Sequence, residues 1–289
     1  MKHHFVPQFL LRSWVGEAAD SKLEVFRLDL PRYPSKRTGT KFTGYEDDLY
    51  ALSKNEIAGM QKQDLETRFH MAIDDKAAKI HQKLIEQGFK SLSSEDRIEW
   101  VRFLTCLLAR QPDIIHALKA QAADVLIGSL QNAPEEYDEL ALENAPACLL
   151  DFTEQNFPGL IENFGLSFYH EIAGSVKAGQ AICDMKWWLW DFSGVGFDLV
   201  LSDRPCILTK GISEPDTILA LPISPQKAFI AAKSDKVAGL LRKQDPKGLA
   251  SLLNESSFYQ ARKRVYARND RPRRFFLNRS QGRTATGNG

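Results

Sequence analysis

The residues best suited to chemistry lie at the start of the chain, in His3-His4-Phe5-Val6-Pro7-Gln8-Phe9-Leu10-Leu11-Arg12. If residues 3 to 8 run extended, His4 and Val6 share one face and His3 and Phe5 the other. A helical turn from about Gln8 to Trp14 then places Gln8 and Arg12 four residues apart on one side. An imidazole that exchanges protons near neutral pH, an amide and a guanidinium fork would converge from one short segment. That set suits phosphate esters. The structural alternative is that Arg12 pairs with a buried carboxylate while the histidines hydrogen-bond the backbone and tie the segment to the core.

Three further segments supply candidate partners. Ser202-Asp203-Arg204-Pro205 lies between two short apolar runs, and Pro205 disfavours helical geometry at Arg204. Asp203 thus sits at a bend where it orients His4 or binds Arg12, unless it caps its own backbone in an Asx turn. Ala250, Asn254, Phe258, Ala261 and Val265 form one stripe at helical spacing. The Asn254 amide on that stripe must find hydrogen bonds, in a core network or on a ligand. Arg110 ends a leucine-rich helix, where a cation suits the terminal carbonyls whatever its function. Residues 262 to 283 carry Arg262, Lys263, Arg264, Arg268, Arg271, Arg273, Arg274, Arg279 and Arg283 against Asp270, with Tyr259, Tyr266, Phe275 and Phe276 interleaved or just before. Such a run is a candidate nucleic-acid surface or a solvated basic end.

These residues need a scaffold. Lys22 to Leu30 alternates as a strand, and Asp48 to Leu52 is expected to pair with it as an N-terminal hairpin. Helical periodicity predicts helices over about 56–87, from a Ser93 or Ser94 cap to Pro112, over 113–130 and over 161–179. Met185 to Phe192 reads as a strand covered on both faces, followed by short strands at 197–201, 206–208, 218–223 and 228–232. A last helix is expected over about 246–267. The expected fold is α+β: a helical middle packed with a small, mostly antiparallel C-terminal sheet and a short N-terminal hairpin. One domain is expected over 1–279, helical at about 55–180 and sheet-rich at about 181–268, with a disordered tail at 280–289.

Composition narrows the function classes. The 38 Lys and Arg nearly balance 37 Asp and Glu, so no global field draws the 289-residue chain to nucleic acid or membrane. Any such attraction is local. No stretch is long and apolar enough to span a bilayer, and no secretory leader is evident. Cys106, Cys148, Cys183 and Cys206 form no C-x-x-C pair and read as buried free thiols, which points to a cytoplasmic protein. Gly194-x-Gly196 lacks the rest of a dinucleotide fingerprint, and P-loop, H-E-x-x-H and G-x-S-x-G motifs are missing. His70, His81, His116 and His170 are scattered along helices and form no metal-ligand pattern.

Taken together, the opening segment, Arg110-Gln111-Pro112, Ser202-Asp203-Arg204-Pro205, Pro222-Ile223-Ser224-Pro225 and Asn254 resemble a family of mostly bacterial domains of unknown function. Its members open with a His-Tyr-Val-Pro-Gln-Phe-Tyr-Leu-Arg-like motif. Here His4-Phe5 departs from the common Tyr, so no hydroxyl is supplied at that position. The resemblance spans about residues 3 to 268 and implies one family-length unit without implying an activity.

The functional expectation is a hydrolase of phosphodiester or nucleotide bonds in nucleic acid. His4 or His3 would transfer protons, Asp203 would orient the histidine or bind a metal, and Gln8, Arg12, Arg110, Ser202 and Asn254 would bind the ligand. Arg262, Arg264, Arg268, Arg273 and Arg274 would meet nucleic acid. The sequence specifies no cofactor and leaves room for a divalent metal; the partner expected is nucleic acid or a nucleotide, with no membrane. The alternative is a non-catalytic module that binds a ligand or nucleic acid in a regulatory or defence role.

Overall fold

A computed structural model describes residues 1–16, 20–53, 61–132, 137–139 and 145–284. The fold is α+β, with a helical middle and several small antiparallel sheets. The chain opens with β1 (Lys2–His4), turns through Pro7 into α1 (Gln8–Arg12), and continues to β2 (Leu23–Arg27), β3 (Ser35–Thr38) and β4 (Tyr45–Asp47). Asp48 to Leu52 does not pair with β2. Instead β4 pairs with β1, with His3 opposite Glu46 and His4 opposite Tyr45, while β2 pairs with β3.

A π-helical turn, Leu65–His70, leads into α2 (Met71–Gln87), which stops at Gly88. The start of the helix expected from residue 56 lies outside the described residues. Then α3 (Ser94–Ala109) begins at Ser93 with a capping box in which Ser93 and Asp96 satisfy each other's backbone N–H groups. Pro112 forces Gln111 into extended geometry and opens α4 (Pro112–Gln131), so the chain bends at Arg110-Gln111. The helix expected over 161–179 is three pieces, α6 (Leu160–Ser167), α7 (Tyr169–Ala173) and α8 (Val176–Cys183), which follow α5 (Leu149–Asn156). The close approach of α6 to α4 explains Gly165, where an added Cβ would lie 2.7 Å from the Leu118 carbonyl oxygen.

The sheet-rich part contains β5 (Lys186–Asp191), β6 (Leu201–Ser202), β7 (Ile207–Leu208), β8 (Ile218–Ser224) and β9 (Lys227–Ala232), then α9 (Asp235–Arg242) and α10 (Pro246–Gln260). The final helix expected to reach residue 267 ends at Gln260, and the chain enters β10 (Arg264–Ala267) before α11 (Arg273–Thr284). Helix α11 crosses the start of the expected disordered tail, and residues 285–289 lie outside the described residues. β10 is an inner strand, and that is why the segment is not helical. It lies between β2 and β6 in the order β3-β2-β10-β6, so the N-terminal strands belong to the same sheet as the C-terminal one. The other four-stranded sheet runs β5-β9-β8-β7. The Ser202-to-Pro205 turn therefore carries the chain from one sheet to the other.

The main core gathers Leu10, Leu11 and Trp14 of the opening segment with Trp100, Phe103 and Leu107 of α3 and Phe229 of β9. Burying these apolar groups, several of them aromatic, is the main favourable term that fixes residues 5 to 14. No described helix is long and apolar enough to cross a membrane. All four cysteines are free, but only Cys106 and Cys206 are buried, whereas Cys148 is half-buried and Cys183 exposed.

Candidate functional site

The opening segment is anchored before it can act. Val6 donates from its backbone to the Gly44 carbonyl at 3.0 Å, and Gly44 adopts a left-handed φ of 67°. A Cβ there would lie 3.1 Å from the side chains of Val6 and Leu11, so glycine lets the two segments meet. Trp14 is fully buried and donates its indole N–H to the Leu199 carbonyl at 2.9 Å.

His3 is buried with both ring nitrogens engaged. Its Nδ1 accepts from the Tyr50 backbone N–H at 2.9 Å, so Nε2 carries the hydrogen and donates to Gln63 Oε1 at 2.5 Å. The ring stacks on Tyr50 at 5.4 Å between centroids. His3 thus orders the fold and has no nitrogen left for proton transfer, which corrects the catalytic expectation for it. His4 differs. It is half-buried against Tyr45, and its Nε2 has no hydrogen-bond partner among the described residues. Burial lowers its pKa, partly opposed by Glu66 and the Thr40 backbone, which favours the neutral ring.

Behind these histidines lies a buried polar cluster that the sequence reading did not assemble. His70 donates from Nδ1 to Glu66 at 3.1 Å and accepts at Nε2 from the Tyr169 hydroxyl at 2.9 Å. Burial and the nearby Arg110 charge lower the His70 pKa to about 3. Arg110 is fully buried and pairs with Asp74 at 3.0 and 3.2 Å, while its Nε and Nη2 have no partner among the described residues. Burial raises the pKa values of Asp74 and Glu66 against the pull of nearby cations. Two patterns marked these residues. Asp74, Ala77, His81 and Leu84 share one stripe of α2 at spacings of three and four, and Glu66 and His70 are four apart.

An open cleft of about 340 Å³ lies between the β1–β4 pair, the α3–α4 bend and the turn joining the two sheets. Phe5, Phe42, Tyr45, Gln111, Asp203 and the basic residues Arg204, Arg262, Lys263 and Arg264 are among its lining residues. The cleft therefore draws on four of the segments singled out in the sequence. Its carboxylates come from Glu46, Asp47, Asp113 and Asp203. Asp113 pairs with Arg204, and Glu46 meets His116 Nε2 at 2.8 Å.

Asp203 does not orient a histidine. Its oxygens accept from the backbone N–H groups of Arg262, Lys263 and Arg264 at 2.7, 2.7 and 2.8 Å, which fixes the entry to β10. Burial pushes its carboxyl pKa up, against those three donors. Ser202 donates to the Arg204 carbonyl at 2.5 Å, another contact internal to the turn. Asn254 accepts from Val200 N–H at 2.8 Å and donates to the Asp198 carbonyl at 3.0 Å, the core-network role. Gln8 and Arg12 are the first and last residues of α1, Gln8 half-buried and Arg12 exposed, and neither lines the cleft. The expected convergence of Gln8, Arg12, Arg110, Asp203 and Asn254 on His3 or His4 is not formed: Arg110 joins the buried cluster, Asp203 lines the open cleft, and Gln8, Arg12 and Asn254 lie in neither.

The basic segment is likewise divided. Arg262 and Arg264 face the cleft, Arg268 reaches Asp198 at 3.6 Å, Arg273 donates to Ser35 and lies 5.9 Å over Phe26, and Arg274 is exposed. Tyr266 and Phe276 are fully buried and so cannot serve as stacking platforms for bases. Among the described residues, no group of three or more His, Cys, Asp or Glu is placed to hold a metal ion.

Sheets bridged by a buried turn, a buried histidine–arginine cluster and a charged cleft beside it define an α+β protein with a preformed polar site. The chain belongs to the DUF4238 family, described as a protein of unknown function, whose model matches residues 2–271. No curated protein and no solved structure matches the chain.

Proposed function

We propose that the protein binds a phosphate-bearing ligand, a nucleotide or nucleic acid, in the 340 Å³ cleft. The observation that carries this reading is the division of charge. Three of the four carboxylates are already engaged, by Arg204, by His116 and by the backbone of residues 262–264. Lys263 and Arg264 have no carboxylate within ion-pair distance among the described residues, so these two cations outweigh the one unengaged lining carboxylate, Asp47, and the net charge offered to a ligand is cationic. Phe42 is 66% exposed and forms an aromatic wall with Tyr45, with the Lys2 ammonium 4.5 and 4.4 Å from the two rings. Cations that hold phosphates beside a ring that stacks on a base are the usual means of binding nucleotides and single strands.

Fluorescence anisotropy with labelled single-stranded DNA and RNA and with mononucleotides, over a series of salt concentrations, tests the reading. The parent is expected to bind. Lys263→Glu and Arg264→Glu should each weaken binding about tenfold and lower the salt slope by about one. A parent that binds none of these probes refutes the proposal.

Cleavage of a phosphodiester is a second reading, favoured by the Glu46–His116 pair, whose carboxylate lines the cleft and whose imidazole is exposed. The His116 imidazole would accept a proton from an attacking water or hydroxyl. His116→Ala should then separate turnover from binding. If the parent degrades neither DNA nor RNA with or without divalent metal, this reading falls and recognition stands.

A further inference from the structure

A second, larger cleft of about 700 Å³ opens at the other end of β10 and shares no lining residue with the first. It lies where the two four-stranded sheets meet α10, between the loop after β5 and the segment after β10. We infer that this cleft is a separate binding site for a nucleoside monophosphate, a planar heteroaromatic ring that carries one anionic group.

The volume falls within the range of about 300 to 1,000 Å³ common to small-molecule sites. Its lining carries Arg37, Arg268 and Arg271 with one carboxylate, Asp198, and two of these cations are already paired. Arg37 is held by Asp20 at 2.6 and 3.0 Å, and Arg268 reaches Asp198 at 3.6 Å. Arg271 is exposed and has no ion pair among the described residues, so its guanidinium is the group left to take a phosphate.

The same cleft exposes aromatic surface. Phe197 is 38% exposed, raised on a turn in which Gly196 has a φ of 85°. Phe275 is half-buried, with Arg279 3.8 Å from its ring centroid. Neither ring is enclosed as Phe276 is, and both line the cleft with Arg271. Beneath them Asn254 spends its amide on Asp198 and Val200, which holds the Phe197 loop in place before a ligand arrives. An anion at Arg271 with a ring against Phe197 uses both features that the fold leaves unpaired.

Calorimetric titration of the intact protein with AMP, adenosine and inorganic phosphate tests the assignment. AMP should bind saturably, and adenosine or phosphate alone at least about tenfold more weakly. Arg271→Glu and Phe197→Ala, each added to a Lys263→Glu/Arg264→Glu background that disables the first cleft, should weaken the remaining AMP binding about tenfold. Arg271 and Phe197 are both partly exposed, and Arg271→Glu alone decides the matter if Phe197→Ala folds poorly. No saturable AMP binding at millimolar concentrations would overturn the inference. So would binding that survives Arg271→Glu and disappears in Lys263→Glu/Arg264→Glu, an outcome that would leave the first cleft as the nucleotide site.

Discussion

Acidification should destabilise this protein through His70, and the size of the effect follows from its burial. The ring is almost fully enclosed between Glu66 and Tyr169, with Tyr50, Asp74, Arg110 and His3 around it, and its pKa in the folded chain is about 3. In the unfolded chain it returns to about 6.5. Between those values the unfolded state holds the extra proton, so stability rises with pH and is lost as pH falls below about 6.5. At about pH 5 the loss from this group is ~2 kcal/mol, because each pH unit below the unfolded value costs about 1.4 kcal/mol. His4 and His81, also lowered by burial, act in the same direction. The raised carboxyls of Glu66, Asp74 and Asp203 act oppositely, since the folded chain protonates them first and gains stability on acidification. Comparison with His70→Gln isolates the ring, because the amide keeps a donor and an acceptor but does not titrate. Urea denaturation at about pH 7.5 and about pH 5 should show the parent losing ~2 kcal/mol more than the variant. Equal losses would refute the enclosed, neutral imidazole.

The Asp74–Arg110 pair and the Asp203 turn give two further tests. Asp74→Asn leaves the buried Arg110 charge uncompensated and should cost about 3 to 5 kcal/mol by denaturation, whereas Asp74→Leu combined with Arg110→Met should cost clearly less than the sum of the single changes. Asp203→Ala orphans the N–H groups of residues 262–264 and should cost at least about 1 to 3 kcal/mol. Asp203→Asn, which keeps an acceptor, should cost less than Asp203→Ala, and an equal loss would argue against backbone capping as the role of this residue.

Much of the scaffold was legible because local physics and burial agree there. The Ser93 cap, the stop at Gly88, the bend imposed by Pro112 and the short helix after Pro7 follow from residue type and spacing. The end of α10 was not legible, because Ala261 and Val265 continue the helical spacing of the preceding residues. Only pairing with β2 and β6 makes residues 264–267 a strand.

The site divides in the same way. From the sequence alone, residues 3 to 12 stand out as a segment whose polar groups need partners, Asn254 as an amide on an apolar stripe, Arg110 and Asp203 as charges at a helix end and a bend, and 262–264 as the start of a basic run. The sequence could not choose the partners, since a hydrogen bond is decided by which atoms lie about 3 Å apart after the chain has closed loops of tens to hundreds of residues. The tertiary structure gave His3 to Tyr50 and Gln63, Arg110 to Asp74 and Asp203 to the start of β10. It left the buried Nε2 of His4 without a hydrogen-bond partner among the described residues, and Lys263 and Arg264 beside a cleft.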